Sequence, residues 1–141
     1  MTIYLDFDGT VVEHFFPLMG TLNPGSIEVI KKLKDANHDI VLNTFRSDMQ
    51  DGTLQLALDF INNQPGFHSN IITEHTDLKI APSPWDWKYF ERNSVVFIDD
   101  LSKGIPLKPN IVLSNGKMVD WPAIDKEFIE KNMYARVKKT G

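Results

Sequence analysis

Short apolar runs along the chain alternate with longer segments in which apolar residues recur every three or four positions. The short runs predict five β-strands, at residues 2–5, 40–43, 70–73, 94–98 and 110–113. The longer segments predict helices, each with one apolar face. Strands that alternate with helices are typical of the α/β class, so the pattern predicts a three-layer, Rossmann-like parallel sheet with helices on both faces.

Capping and breaking residues predict where the helices begin and end. The first helix is predicted to start near residues 23–24, where an asparagine can cap it and a proline suits its first turn. A second is predicted at residues 51–63, and shorter ones are predicted to open at residues 83–84 and 121–122. The predicted core positions on these helices are Ile27, Ile30, Leu33, Leu54, Ala57, Leu58, Ile61, Trp87, Phe90, Ile124, Phe128 and Ile129.

Composition narrows the classes of protein that this chain can belong to. A chain of 141 residues with 42% hydrophobic residues predicts a single globular domain over residues 1–141. The net charge of -4 disfavours a main role in binding nucleic acid. The lack of cysteine excludes disulfides and thiol chemistry, so a catalytic metal must take oxygen or imidazole ligands. No segment has the pattern of a leader peptide or a membrane span, which predicts a cytoplasmic protein with no membrane partner.

Three of the predicted strands end in polar residues. Asp6 and Asp8 follow the first strand, Thr44 follows the second, and Asp99 and Asp100 follow the fourth. Because the carboxyl ends of parallel strands share one edge of a sheet, Asp6, Thr44 and Asp99 are expected to face a common pocket. Asp6 and Asp8 alternate along an extended segment, and the glycine after Asp8 lets the backbone turn so that Asp8 reaches over the pocket.

Four carboxylates packed at one edge repel each other and lose hydration, which costs several kcal/mol without a cation. Mg²⁺ prefers oxygen ligands, with one or two carboxylates and the oxygens of a substrate phosphate. The residues therefore predict Mg²⁺ as the cofactor, and this cation would also screen an incoming phosphate group from the carboxylates. A homo-oligomer is compatible with the sequence.

The order of these residues resembles the haloacid dehalogenase superfamily over nearly the whole chain. The matching features are the motif Asp6-Phe7-Asp8-Gly9-Thr10 after a strand, a strand ending at Thr44, a later lysine and the pair Asp99-Asp100. The resemblance implies a magnesium-dependent phosphatase that hydrolyses phosphate monoesters through an aspartyl-phosphate, with a small-molecule phosphate ester as the substrate. Residues 7–14 and 44–46 further resemble a small capless phosphatase group of that superfamily, which implies that the domain has no cap.

The resemblance also implies a role for each motif residue. Asp6 would be the nucleophile and a metal ligand, and Asp8 the general acid and base, with its backbone carbonyl on the metal. Thr44 would bind phosphate through its hydroxyl. Asp99 would be a metal ligand, and Asp100 would contact the metal's ligands and not the metal itself.

The phosphate-binding lysine has two candidates. The superfamily places it just before the helix that precedes the last metal strand, and Lys79, followed by Ile-Ala-Pro-Ser-Pro, fits best. Lys88 lies within the predicted helix and is its rival. Arg46 can bind the substrate, since arginine holds phosphate or carboxylate with two hydrogen bonds, but it can equally form a surface ion pair.

Two other functions remain open from the sequence. One is a catalytically idle domain that serves as a binding or regulatory module. The other is a 3′-phosphatase acting on nucleic-acid ends, which would need a basic approach surface. His14 could gate the pocket, but a histidine beside phenylalanines is more often structural, so no catalytic role is assigned to it. The aromatic cluster at residues 85–90 could stack a base or a sugar, but it is predicted to belong to the core.

Overall fold

A computed structural model of the chain describes residues 1–49, 51–67, 73–74, 78–92, 94–112 and 116–137. The strands are β1 (Thr2–Leu5), β2 (Asp39–Leu42), β3 (Thr73–Glu74), β4 (Val95–Ile98), β5 (Leu107–Pro109) and β6 (Lys117–Val119). The helices are α1 (Ser26–Asp35), α2 (Arg46–Met49), α3 (Thr53–Asn62) and α4 (Trp121–Glu130), with a 3₁₀ helix at Trp87–Arg92. None of the helices in these ranges combines the length and the apolar character needed to cross a membrane.

The main sheet of the described residues has four parallel strands in the order β3-β2-β1-β4. β1 is central, with Ile3 opposite Ile40 of β2 on one side and opposite Val96 of β4 on the other. All three side chains are buried. Parallel neighbours require crossover connections, and α1 lies in the connection from β1 to β2. The α/β class is therefore confirmed, and the sheet brings the carboxyl ends of its strands to one edge.

The first helix begins at Ser26 and not near residues 23–24, because Asn23 has another role. Its side-chain amide donates to the carbonyl oxygen of Thr10 at 2.9 Å and to that of Val119 at 2.7 Å. These two bonds orient the Asn23 side chain toward the loop after β1 and toward β6, and its Oδ1 accepts no hydrogen bond from the described residues, so it does not cap the helix. Gly25, with a φ of 90°, occupies the cap position instead.

Most predicted core positions are buried, with three exceptions. Ile27 and Leu54 are partly buried, and Ile129 is 60% exposed, so its predicted core position is wrong. The aromatic cluster divides, since Trp87 and Phe90 are buried whereas Trp85 and Tyr89 are exposed. The buried positions are Ile30, Leu33, Ala57, Leu58, Ile61, Trp87, Phe90, Ile124 and Phe128.

The strand predicted at residues 110–113 is wrong over the part that the structure describes. The strand ends earlier, at Pro109, and β5 pairs with β6 in an antiparallel hairpin. The backbone N–H groups of Ile111 and Val112 donate to the Glu13 carboxylate at 3.0 and 2.9 Å. These two donors are therefore used by a side chain and are not available to a strand ladder. Residue 113 lies outside the described residues.

One further predicted strand lies largely outside the described residues, and one predicted helix begins later than expected. The strand predicted at residues 70–73 is described only from Thr73 onward, in β3, and residues 70–72 lie outside the described part. The aromatic helix begins at Trp87 and not at residues 83–84. The Trp87 N–H donates to the carbonyl of Lys103 at 2.8 Å, so the start of this helix is set by a distant loop.

The loop after β1 is tied to α4 through one carbonyl group. The Thr10 carbonyl oxygen accepts a hydrogen bond from the Trp121 indole N–H at 2.7 Å, in addition to the bond from Asn23. Trp121 is fully buried. In such a setting an unsatisfied polar group costs about 1–3 kcal/mol. This contact therefore helps to hold the loop that contains Asp6 and Asp8.

We expect Trp121→Phe to lower the free energy of unfolding by about 1–3 kcal/mol, because it removes the indole donor and part of a buried ring. Urea unfolding measures the difference from the wild type. Trp85→Phe is the matched control, since Trp85 is 60% exposed. Equal stability of the two variants would contradict the role assigned to the Trp121 hydrogen bond.

Candidate active site

Asp6 lies directly after β1, at the edge where the strands end. Its backbone N–H donates to the carbonyl of Ile98 at 2.9 Å, which extends the pairing with β4 by one residue. The side chain is buried, and its Oδ2 accepts a hydrogen bond from the Thr10 hydroxyl at 2.9 Å. The orientation of the carboxylate is thus set by both the sheet and the following turn.

Lys79 is the lysine that contacts Asp6. Its Nζ lies 3.1 Å from Asp6 Oδ1 and 3.0 Å from Asp99 Oδ2, and its side chain is only 4% exposed. Burial lowers the pKa of Lys79, but the two carboxylates outweigh burial and raise it above its ordinary value, so the ammonium stays charged. Lys88 is exposed, with its Nζ 5.8 Å from the centre of the Tyr89 ring.

Asn43 holds the segment that carries Lys79, a role that the sequence did not reveal. Its side-chain Nδ2 donates to the carbonyl of Ile80 at 2.8 Å, and its Oδ1 accepts from the Ile80 N–H at 2.9 Å. Asn43 is buried at the end of β2, next to the central strand. An asparagine at the end of a buried strand was the available signal, but its partner is distant in sequence.

Asp6, Asp99 and Asp100 form a cluster that can hold a metal ion. Each offers a carboxylate oxygen, and the three oxygens lie within 4.8 Å of one another. Asp99 Oδ2 is buried, and the Lys79 ammonium lies 3.0 Å from it, at ion-pair distance. A buried carboxylate oxygen of this kind, among other hard oxygen donors, fits Mg²⁺. The contact of the Asp8 backbone carbonyl with the metal stays a prediction.

The charges of this cluster are out of balance. Three carboxylates face one ammonium. Burial raises the pKa of Asp6 well above its ordinary value, and the charge of Asp99 raises it further, while Lys79 opposes the shift. Burial likewise raises the pKa of Asp99, against the hydrogen bond from the Leu101 N–H and the charge of Lys79. The pair therefore resists carrying two negative charges, and a divalent cation would relieve this repulsion.

Asp8 is paired with Arg46. Arg46 Nε donates to Asp8 Oδ2 at 2.8 Å, and one terminal nitrogen donates to Oδ1 at 2.7 Å. The same nitrogen donates to the carbonyl of Leu18 at 3.1 Å. Arg46 is 1% exposed and is not among the residues that line the pocket. The structure thus pairs the buried Arg46 with Asp8, whereas the sequence predicted that Arg46 would bind the substrate or form a surface ion pair.

Thr44 lines the same pocket as Asp6 and Asp8. Its side chain is buried two residues beyond β2, and its Oγ1 accepts a hydrogen bond from the Arg46 N–H at 3.2 Å. A threonine hydroxyl that accepts one bond still has its own O–H to donate. The geometry is therefore compatible with the predicted contact between Thr44 and phosphate.

His14 lines the pocket and contacts a candidate metal ligand, a contact that the sequence pattern did not predict. Its Nε2 lies 3.0 Å from Asp100 Oδ2, and this hydrogen bond raises the pKa of His14. Burial raises the pKa of Asp100, but the bond with His14 outweighs burial, so the pKa falls below its ordinary value. Gly9 has a φ of 81°, and a Cβ there would overlap the His14 ring, so this approach requires glycine.

These residues surround an open pocket of about 290 Å³ at the carboxyl edge of the sheet. Its floor is charged, and its mouth is formed by apolar side chains. The lining residues are Asp6, Asp8, His14, Phe16, Thr44, Phe45, Lys79, Asp100 and Leu101. Of the predicted site residues, Asp6, Asp8, Thr44 and Lys79 line this pocket. Asp99 and Arg46 do not line it, but Asp99 contacts Lys79 and Arg46 contacts Asp8.

A comparison with protein-family models gives no match, and a comparison with curated proteins gives none either. Among solved structures, the chain is similar to a conserved protein coded by a locus from Bacteroides thetaiotaomicron. The two chains are 26% identical with a TM-score of 0.59, and the alignment covers 99% of this chain and 98% of that one. The similarity supports a shared α/β architecture over the full length of both chains.

We expect the metal-free protein to lose stability as Asp6 ionises. Its carboxyl group has a raised pKa in the folded state. Its contribution to stability is therefore complete below the pKa of the unfolded chain and is lost as the pH rises through the folded value. Asp6→Asn cannot ionise, so in chelator its Tm relative to the wild type should increase from acid to neutral pH.

Calorimetry across this pH range measures the difference in Tm. The matched control is Asp35→Asn, which changes a carboxylate at the end of α1, away from the cluster. If the difference between Asp6→Asn and the wild type stayed constant with pH, the electrostatic cost assigned to Asp6 would be wrong.

Proposed function

We propose that this protein is a magnesium-dependent phosphatase of the haloacid dehalogenase type, which hydrolyses phosphate monoesters through an aspartyl-phosphate on Asp6. The observation that carries the proposal is the setting of Asp6 beside an open pocket. One of its oxygens accepts a hydrogen bond from the Thr10 hydroxyl at 2.9 Å, and the other is paired with the Lys79 ammonium at 3.1 Å. Such a setting orients a nucleophile and provides positive charge where a phosphoryl group would bind.

The reaction has two steps that share one acid–base group. An oxygen of Asp6 attacks phosphorus, the bond from phosphorus to the leaving oxygen breaks, and the Asp8 carboxyl group gives its proton to that oxygen. In the second step, Asp8 takes a proton from water while the water oxygen attacks the phosphorus of the acyl phosphate. Inorganic phosphate is released and Asp6 is regenerated.

Lys79 and Thr44 would bind the phosphoryl oxygens. The Lys79 ammonium stays charged and has three donors, so it can contact both Asp6 and the oxygens that gain charge during transfer. The Thr44 hydroxyl can donate to another oxygen of the same group. Both side chains line the pocket and are held by neighbouring backbone contacts, which favours a preorganised site.

Asp6, Asp99 and Asp100 would hold Mg²⁺ through their carboxylates, and the Asp8 backbone carbonyl is the predicted further ligand. When bound, Mg²⁺ would offset the excess negative charge of the cluster and of the phosphoryl group. Asp100 would then be a direct ligand and not a supporting residue. His14 would orient it through their 3.0 Å contact.

In this proposal Arg46 positions Asp8 and does not bind the substrate. Each Asp8 oxygen accepts one hydrogen bond from Arg46 and has a second lone pair at which a proton can be exchanged. The terminal nitrogen that donates to Asp8 also donates to the Leu18 carbonyl, so the guanidinium is held in place and is not free to follow a ligand. Arg46 thereby holds the Asp8 carboxylate in one orientation, so less conformational entropy is lost when Asp8 transfers a proton.

The corresponding fold is a three-layer, Rossmann-like domain with helices on both faces of the sheet and no cap. Between Asp8 and Thr44 the chain forms a loop, α1 and β2. Between Thr44 and Lys79 its described part forms α2, α3 and β3. Both segments contribute to the sheet or to its helices, which leaves little chain for a separate lid over the pocket.

We expect the protein to release inorganic phosphate from 4-nitrophenyl phosphate in the presence of Mg²⁺ and to stop in excess chelator. Asp6→Asn should abolish turnover, because an amide cannot attack phosphorus. Lys79→Ala should lower kcat/KM by about a hundredfold, the size of loss found for a preorganised charge contact. A phosphate-release assay measures all of these effects.

Lys88→Ala is the matched control and should leave kcat/KM unchanged, since Lys88 is exposed. If Lys88→Ala lowered kcat/KM and Lys79→Ala did not, the phosphate-binding role would belong to Lys88. More than trace turnover by Asp6→Asn would refute the nucleophile assignment. A wild-type protein without turnover on any phosphate ester would instead favour a binding module.

We expect Arg46→Met to keep its first turnover of 4-nitrophenyl phosphate and to slow the later ones by about tenfold or more. The nitrophenolate leaves without an acid, whereas hydrolysis of the acyl phosphate needs Asp8 as a base. Rapid mixing separates the initial burst from the steady state. Arg46→Lys should recover only part of the rate, because an ammonium cannot form the paired contact.

The control for the charge is Arg92→Met, which removes an exposed arginine. If Arg46→Met slowed the initial burst and the steady-state rate equally, the substitution would have disrupted the whole site, and the positioning role would be contradicted.

A further inference from the structure

The mouth of the pocket is largely apolar although its floor is charged. Phe16, Phe45 and Leu101 line it and are 44%, 54% and 64% exposed, and the neighbouring His14, whose side chain is 41% exposed, is paired with Asp100. Single exposed apolar residues are common, but several around one cavity with convergent polar groups are typical of a ligand-binding surface. The part of the ligand that meets this mouth is therefore expected to be apolar.

The two aromatic rings of the mouth are held by the two buried cations of the site. Lys79 Nζ lies 4.4 Å from the centre of the Phe45 ring, and Arg46 Cζ lies 5.2 Å from that of Phe16. Both cations are themselves fixed by ion pairs with Asp6 and Asp8. Because cation–π attraction restrains each ring, the walls of the pocket are preorganised.

The described lining residues offer no spare positive charge for a second anionic group of the ligand. Lys79 is paired with Asp6 and Asp99, and His14 is paired with Asp100. A carboxylate or a second phosphate on the leaving alcohol would therefore meet phenyl rings and other carboxylates. Burying a charge without a partner is costly, which disfavours such esters.

The pocket is also small. Its volume of about 290 Å³ is just below the usual range of ligand pockets, which is about 300–1,000 Å³. The enclosed part of this open pocket therefore has room for a phosphoryl group and a substituent of the size of a single ring system. Size, charge and wall chemistry thus describe the same kind of leaving group.

We propose that Phe16 and Phe45 form a leaving-group subsite that selects phosphate monoesters whose alcohol carries an uncharged aromatic ring close to the ester oxygen. The inference rests on the proposed function, since it identifies which esters Asp6 attacks. The ring stacks or packs edge-on against the two phenylalanines and leaves water on binding. The phosphoryl group lies on the charged floor, where Asp6 and Lys79 contact it.

The test compares 2-phenylethyl phosphate with ethyl phosphate, two esters whose leaving alcohols differ mainly in the ring. The wild type should have a kcat/KM for the aromatic ester about tenfold higher or more. Phe16→Leu and Phe45→Leu should each reduce this ratio about threefold, because leucine keeps apolar surface but lacks the ring. Any effect that Phe45→Leu has through Lys79 acts on the phosphoryl group, which both esters share, and cancels in the ratio.

Phe15→Leu is the matched control, since Phe15 is 41% exposed and adjacent to Phe16 but does not line the pocket. Its ratio should equal that of the wild type. A wild-type ratio near one, with both esters hydrolysed, would overturn the subsite and leave the phosphatase assignment intact. The subsite would also be overturned if Phe15→Leu lowered the ratio as much as Phe16→Leu.

A binding measurement separates failure of the subsite from failure of the proposed function. Calorimetric titration in Mg²⁺ with 2-phenylethylphosphonate and with ethylphosphonate reports affinity without turnover. Tighter binding of the aromatic phosphonate, reduced in Phe45→Leu, together with no hydrolysis of any ester, would support the subsite and reject the phosphatase. Equal affinities with no hydrolysis would reject both.

Discussion

Repulsion between carboxylates at one edge of the sheet is the constraint around which the site is built. Because Leu5 pairs with Ile98, the residues that follow them, Asp6 and Asp99, are brought together and buried. Charges removed from water interact strongly, and burial disfavours the ionised form of each acid. Lys79 lies between the two acids at 3.1 and 3.0 Å. In the proposed function, a divalent cation would complete the neutralisation that one ammonium begins.

The second acid of the motif is kept apart from this cluster. Asp8 is only two residues from Asp6, yet its carboxylate is turned to Arg46 and not to Lys79. Two carboxylates with separate partners can take separate roles, which is how many enzymes divide nucleophilic and acid–base work. The buried guanidinium also contacts the Leu18 carbonyl. Arg46 therefore links the acid to the segment that forms part of the pocket mouth.

The cations that balance these acids also shape the pocket. Lys79 lies near the ring of Phe45, and Arg46 lies near that of Phe16. Each cation thus has an acid on one side and an aromatic wall on the other. Charge compensation at the floor and apolar recognition at the mouth consequently depend on the same two side chains.

The sequence by itself determined the α/β class and the shared edge at which Asp6 and Thr44 meet, because strand alternation and strand ends are local patterns. It also narrowed the predicted phosphate-binding lysine to two candidates, Lys79 and Lys88. Only the tertiary structure decided that Lys79 contacts Asp6, that Arg46 pairs with Asp8, and that residues 111–112 give their backbone donors to a carboxylate and not to a strand. These outcomes depend on contacts between residues far apart in the chain, and local propensity carries no information about which distant partner a buried polar group will find.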